Sequence, residues 1–282
     1  MKITFLGTGA DTAYPLPFCN CTPCIAARAL GGKNIRKRSS ILINDDLLID
    51  LGPDSAAASF QYKKDLSKIS YLLQTHSHAD HFDPAHLSTR IPEYATMGVS
   101  LLKLCASKAT INKMSEALRA IGYISDLFDI KEQEKLKIEI QAINHYQTIN
   151  LGKYKVTALP TEHDSTVDSL IYIISENKTT ILYGTDMEAL TEETWGFLVR
   201  NNFKLNIVIL DHTYGPDVNG GGHLNDNKVV GHIKRMKQEN IINDKSIVLA
   251  THISHEGNPL HEELSEYAHT RGYEVAFDGL EI

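Results

Sequence analysis

Cysteine is scarce in this chain, four residues in 282, which is too few for a disulfide-stapled scaffold. No apolar run approaches the ~18 residues of a membrane-crossing helix, and 3–6 before Gly7 is too short for a secretory leader, so a cytosolic location without a membrane partner is expected. Positive charge is in deficit. With 28 Lys and Arg against 35 Asp and Glu, a formal charge of −7 and a pI near 6.0, the overall field repels a phosphate backbone. The only basic cluster, Lys33, Arg36, Lys37 and Arg38, reads as a solvated turn rather than an RNA patch. Absent too are the G-x-S-x-G elbow of serine hydrolases and the G-x-x-x-x-G-K-[ST] phosphate loop. Gly7-Thr8-Gly9 lacks a third glycine at Thr12, which argues against dinucleotide binding. No linker, repeat or low-complexity tract divides the chain, so residues 1–282 are expected to form a single domain. Against these absences, 42% of residues are hydrophobic, enough for a core, and histidine occurs 13 times.

Short β-rich runs alternate with helical patterns. Strands are predicted at 2–6, 40–43, 47–50, 69–75, 100–106, 154–160, 169–174, 180–183, 205–210, 246–251 and 274–277, and helices at 24–31, 54–61, 107–121, 191–200, 225–238 and 259–270. Thr191 and Asn225 read as N-caps, and Gly31 and Gly122 as stops. Strand-rich halves with interspersed helices imply two sheets packed together and covered by helices. The segment Gly215-Pro216-Asp217-Val218-Asn219-Gly220-Gly221-Gly222 reads as a mobile loop over a site.

The strand at 69–75 runs into His76-Ser77-His78-Ala79-Asp80-His81, four potential metal ligands in six residues. In extended backbone His76 and His78 share a face, whereas a turn after Ala79 sends Asp80 and His81 elsewhere, so one segment can serve two metals. Further ligands are available directly after apolar strands at His163, Asp186 and His252. Histidines at strand ends are often merely solvated or bound to backbone groups, but four ligands so close together weigh against that. Imidazole and carboxylate suit Zn²⁺, Mn²⁺ or Fe, and a carboxylate can bridge two ions at roughly 3.5–4 Å.

The run Thr75 to His81 resembles the H-x-H-x-D-H signature of the metallo-β-lactamase superfamily, hydrolases with an α/β (α+β) fold built as a four-layer αββα sandwich around a dinuclear site. Leu6-Gly7-Thr8-Gly9, Ile49-Asp50-Leu51-Gly52, Thr161-Glu162-His163, Gly184-Thr185-Asp186 and Thr251-His252-Ile253-Ser254-His255 also fall in the superfamily's order. The resemblance implies one metal on His76, His78 and His163, a second on Asp80, His81 and His252, and Asp186 as the bridge. It makes Asp50 an outer-sphere orienter of a ligand; turn capping after a strand is the alternative.

Cys19-Asn20-Cys21-Thr22-Pro23-Cys24 gathers three of the four thiols. Thiolates this close repel one another unless a cation compensates them, so a structural Zn²⁺ is the simplest account in a reducing compartment. His255 can supply the missing fourth ligand. A redox or incidental cluster is the alternative. Cys105, in an apolar strand, reads as core.

The cysteine loop, His252-Ile253-Ser254-His255 and the ending Phe277-Asp278-Gly279-Leu280-Glu281-Ile282 together resemble PhnP-type phosphodiesterases, which open cyclic ribose phosphates in bacterial phosphonate breakdown. The chain departs from that pattern in a longer middle, around 107–137, and in the Gly220–Gly222 loop. The resemblance implies hydrolysis of a small cyclic ribose or nucleotide phosphodiester by a hydroxide held between two divalent metals, Mn²⁺ or Zn²⁺ with Fe or Ni²⁺ as further options, beside one structural Zn²⁺. His223 matches the position of a catalytic histidine that is not a ligand, and Asp211 is placed to orient it. An exposed loop histidine and a strand-end cap are the respective alternatives. A small-molecule phosphodiester is thus the expected partner, a homodimer is compatible, and nucleic acid is disfavoured. Two rival readings share the fold. A tRNA 3′-end processing endonuclease would need a basic gripping arm, which the sequence lacks; a cofactor-biosynthesis protein resembling pyrroloquinoline quinone biosynthesis protein B would share the cysteine loop.

Overall fold

Apolar residues run almost unbroken through the strands, as they must where both faces of a sheet are covered. In the computed structural model, which describes residues 1–282, six strands form a first sheet side by side in chain order: β1 (Ile3–Gly7), β2 (Ser40–Ile43), β3 (Leu47–Ile49), β4 (Tyr71–Leu73), β5 (Leu102–Ala106) and β6 (Ile138–Ala142). β1 to β3 are antiparallel and β3 to β6 parallel. Seven strands form the second sheet, again in chain order: β7 (Thr148–Leu151), β8 (Tyr154–Pro160), β9 (Leu170–Glu176), β10 (Thr179–Gly184), β11 (Ile207–Asp211), β12 (Ile247–Thr251) and β13 (Glu274–Val275). Its first half is antiparallel, and β10 to β13 are parallel. The helices are α1 (Thr22–Leu30), α2 (Ser55–Gln61), α3 (Lys108–Ala120), α4 (Ile130–Leu136), α5 (Glu192–Arg200), α6 (Asp226–Gln238) and α7 (His261–His269).

The strand period of two sorts the side chains into layers. Ile3, Phe5, Ile41 and Ile43 point inward and pack with Val156, Tyr172, Ile174 and Ile209 of the other sheet. Their neighbours Leu42, Leu72 and Leu104 point outward onto Ala58 of α2 and Ile111 and Met114 of α3. On the opposite side Ile171, Leu182 and Val208 meet Trp195, Val229, Ile233 and Leu264 of α5 to α7. The result is the expected αββα sandwich.

Every predicted strand and helix is present, its ends within two residues of expectation. Thr191 and Asn225 cap as predicted, accepting from the backbone N–H of Thr194 and Lys228. β6, β7 and α4 escaped the sequence reading. The two strands lie at sheet edges where inward apolar residues alternate with exposed polar ones, and α4 is a charged heptapeptide burying only Leu136. Cys105 is buried between the sheets, as expected.

The solvated turn expected for the basic cluster holds for Lys33 and is corrected for Arg36, Lys37 and Arg38. Arg36 is 1% exposed; it donates to Thr8 Oγ1 (2.8 Å), the Ala276 carbonyl (2.6 Å) and His261 Nδ1 (2.9 Å). Arg38 grips Asp54, and Lys37 lies 3.6 Å from Asp278. Arg36 and Lys37 fasten the segment to His261, Ala276 and Asp278 and Arg38 fastens it to Asp54, and burial forces each Arg36 donor to find an acceptor.

The topology brings the C-terminal ends of β3, β4, β8, β10, β11 and β12 together along one edge of the sandwich. At three of those ends a residue has positive φ, Asp50 (66°), Asp186 (48°) and His252 (59°). Such backbone costs about 1–3 kcal/mol per residue and persists only where surrounding contacts hold it.

Candidate metal centres and catalytic cavity

Two groups of side chains converge at this edge. The ligand atoms of His76, His78 and His163 lie within 4.8 Å of one another, as do those of Asp80, His81, Asp186 and His252. Around a tetrahedral cation with N or O ligands at about 2.0–2.1 Å, ligand atoms sit about 3.3 Å apart. The observed spacings match: His78 Nδ1 to His163 Nε2 is 3.1 Å, His81 Nε2 to His252 Nε2 3.4 Å, and Asp80 Oδ2 to those two nitrogens 3.1 and 3.4 Å. His76 Nε2 is buried with no hydrogen-bond partner at all. An orphaned imidazole nitrogen amid other histidines fits a cation site and little else.

Asp186 straddles both groups. Its Oδ2 lies 2.5 Å from His81 Nε2 and 3.1 Å from His252 Nε2, whereas Oδ1 faces His163 Nε2 at 3.5 Å. One carboxylate therefore offers an oxygen to each group.

The distal nitrogens are held from behind, which fixes ring orientation and tautomer. His81 Nδ1 donates to Asp50 Oδ2 (2.7 Å), His163 Nδ1 to the Gly222 carbonyl (2.9 Å), and His252 Nδ1 and His76 Nδ1 meet the hydroxyls of Thr213 (2.7 Å) and Thr75 (2.9 Å). Gly222 has φ +77°, and a Cβ there would fall 2.5 Å from the His163 carbonyl oxygen. At Gly52 a Cβ would fall 2.5 Å from that of Asp80. The contacts assign Asp50 more than a capping role: it takes Thr75 N–H (2.8 Å), Gln74 Nε2 (3.0 Å) and His81.

Burial and neighbouring charge set the protonation states. Burial, aided by the His81 charge, drives His76 well below the ordinary imidazole range; burial lowers His163 as well. Burial opposes ionisation of Asp186, yet His252 and His81 hold its carboxyl well down. Burial likewise opposes charge on His81, but Asp80, Asp186 and Asp50 raise it well above its usual value. A cation held by this group would take the place of that proton.

His223 and Asp211 are paired beside the two groups. His223 Nδ1 is 3.0 Å from Asp211 Oδ2, and Asp211 also accepts from the backbone N–H of Thr213 and Leu224, each at 3.0 Å. It thus caps its strand and orients the histidine at once. Burial would lower His223, but Asp211 outweighs it and pushes the imidazole up to about 9. Asp186, Asp211, His223 and His252 form a further group of potential ligands, although the backbone and Thr213 already engage both oxygens of Asp211. His78, Asp80, His163, Asp186, His223 and His252 line an open cavity of about 510 Å³. The loop read as mobile, 215–222, joins the lining residues Tyr214 and His223, and Asn225 Nδ2 donates to its Val218 carbonyl at 2.9 Å.

The cysteine loop closes on His255. Cys19, Cys21 and Cys24 Sγ lie 3.6, 3.3 and 3.6 Å from His255 Nδ1. A tetrahedral zinc with Zn–S about 2.3 Å and Zn–N about 2.0 Å sets these atoms about 3.5 Å apart. The backbone N–H of Cys21 stabilises the Cys19 thiolate, and burial pushes Cys24 up to about 11.

Sequence reasoning missed Gln74 and Thr213. Gln74 Nε2 bridges Asp50 and the carbonyls of His76 and His81, and Thr213 Oγ1 joins Asp211, His223 and His252. The available signal was a polar residue ending an apolar strand, Leu72-Leu73-Gln74.

Relatives put this site in context. The chain is 26% identical to ribonuclease Z of Methanosarcina acetivorans over 180 residues, covering 63% of this chain and 49% of that protein, so it spans about half the length of that relative. Among solved structures it resembles a diphosphatase of the PhnP family (TM-score 0.71, 22% identity, 100% of this chain and 96% of that one). It also resembles zinc-bound PqqB from Methylobacterium extorquens (TM-score 0.68, 17% identity, 100% and 99%). Identities this low speak to the fold. The model of the beta-lactamase superfamily domain matches residues 46–253, and the chain belongs to that superfamily.

Proposed function

We propose that the protein is a metal-dependent phosphodiesterase acting on small, cyclic ribose or nucleotide phosphodiesters. The observation that carries this reading is Asp186, with one carboxylate oxygen toward each of two ligand groups. His76, His78 and His163 would hold one divalent cation, and Asp80, His81 and His252 the other; Cys19, Cys21, Cys24 and His255 would hold a structural Zn²⁺. When bound, a cation pair supplies a water nucleophile at neutral pH and offsets charge on the phosphoryl oxygens. The chain's own groups do the rest. Asp50 keeps the His81 proton on Nδ1 and so leaves Nε2 free as a ligand. Asp211 keeps His223 protonated at neutral pH, and Nε2 of that imidazole donates the proton that the leaving alkoxide requires. All four thiols are free of disulfides, which suits a reducing compartment and supports a cytosolic location.

The test joins elemental analysis to a screen of bis-p-nitrophenyl phosphate and 2′,3′-cyclic nucleotides with Mn²⁺, Ni²⁺ or Zn²⁺. Three metals per chain, one resistant to mild chelation, with turnover of a diester is the expected result. One metal or none, or no hydrolysis of either substrate, overturns the reading; the latter favours a role like that of PqqB. Identity to ribonuclease Z supports a second reading, cleavage of precursor tRNA. The cavity speaks against it, since its lining contains no lysine or arginine.

A further inference from the structure

A phosphodiester site usually faces an anion with cations of its own. Here the sixteen residues lining the cavity include no Lys or Arg, and beyond the candidate ligands they add two more carboxylates, Asp11 and Glu256. Both are exposed at the mouth. Neither carboxylate has a hydrogen-bond or ion-pair partner in the chain, so its acceptor capacity is free. Arg38, whose charge reaches Asp11 and Asp80, is spent in a two-pronged pair with Asp54 at 2.8 Å for both contacts, and Lys228, 3.3 Å from the His223 carbonyl, is paired with Glu188. Beside Glu256 the lining presents Tyr214, half-buried and held by Gly220, where a Cβ would fall 2.2 Å from the ring.

The charge inside is already matched. Two divalent cations would be balanced by Asp80, Asp186, one hydroxide and one phosphodiester anion. A second phosphate on the substrate would find nothing to neutralise it and would meet Asp11 or Glu256. Hydroxyl groups, by contrast, are donors that free carboxylates accept.

We infer that Asp11 and Glu256 are specificity determinants that restrict this site to substrates whose only negative charge is the scissile diester and whose remaining surface is neutral and hydroxylated. This rests on the phosphodiesterase reading and narrows it. The residues select by repulsion of the wrong ligand as much as by contact with the right one.

The experiment compares adenosine 2′,3′-cyclic phosphate with the same compound bearing a 5′-phosphate. At low ionic strength the wild type should favour the first by about tenfold in kcat/KM, each exposed carboxylate contributing about threefold. Asp11→Asn and Glu256→Gln should each erode that preference, Asp11→Lys with Glu256→Lys should invert it, and salt should weaken it in the wild type. Metal content is measured alongside. Calorimetric binding of the same two ligands to metal-loaded His223→Ala protein reads the rim without turnover, so failure of the hydrolytic reading leaves this comparison intact. Equal affinity for the two ligands, binding of neither, or a preference that survives in the Asp11→Asn, Glu256→Gln double variant overturns the inference.

Discussion

Replacing Asp50 by Asn barely changes volume and exchanges one carboxylate oxygen for an NH₂ group, yet the network around it predicts a specific loss. Asp50 Oδ1 accepts from Thr75 N–H at 2.8 Å and Gln74 Nε2 at 3.0 Å, and Oδ2 accepts from His81 Nδ1 at 2.7 Å. The backbone N–H of Thr75 cannot turn away, so the asparagine oxygen stays on that side and its NH₂ faces His81. The imidazole must then accept at Nδ1 and carry its proton on Nε2, the nitrogen aimed at Asp80, Asp186 and His252. A protonated nitrogen is no ligand. Losing a charge-assisted hydrogen bond is worth about 1.5–3 kcal/mol, and losing the support of a ligand costs about 10- to 100-fold in metal affinity; the two figures agree. Chelator competition followed by elemental analysis should show one of the active-site cations leaving at 10- to 100-fold lower chelator activity, with the cysteine-bound zinc unaffected. If Asp50→Asn retains all cations at the wild-type chelator concentration, the assignment of Asp50 as an orienting group is wrong.

Other expectations follow from the same geometry. His223→Ala should lower kcat by about 10²–10⁴ on a diester with a poor leaving group, and far less with p-nitrophenolate, at unchanged metal content; full kcat on the poor leaving group would remove the proton-donor role. Cys21→Ser should release one zinc per chain under chelation that spares the others and lower the melting temperature, as metal analysis and thermal unfolding will show. Burial and then Arg36 bring His261 down from 6.5 to about 4. The unfolded chain therefore takes up a proton below pH 6.5 that the folded chain refuses until about pH 4. Stability should fall across that window on acidification, by up to ~3 kcal/mol. His261→Gln should flatten the fall in a melting-temperature series against pH, and an unchanged acid slope would exclude His261 as its source.

The sequence by itself determined the elements and the ligand-rich segments. His76 to His81 and Cys19 to Cys24 are legible because their chemistry is local: period-two backbone and short spacing decide which side chains share a direction. Core strands were legible for a related reason, since burial on both faces demands continuous apolar runs, whereas edge strands β6 and β7 and the charged α4 carry no such demand. Only the tertiary structure decided the pairings. Asp50 reaches His81 across 31 residues, Asp80 reaches His252 across 172, and the cysteine loop reaches His255 across more than 230. Arg36 is part of the same lesson, because a run of basic residues reads as solvated until the fold buries one against Thr8 and His261. Composition gives a charge and spacing gives a face; which acceptor a buried donor finds is fixed by how distant strand ends meet, and no local pattern encodes that.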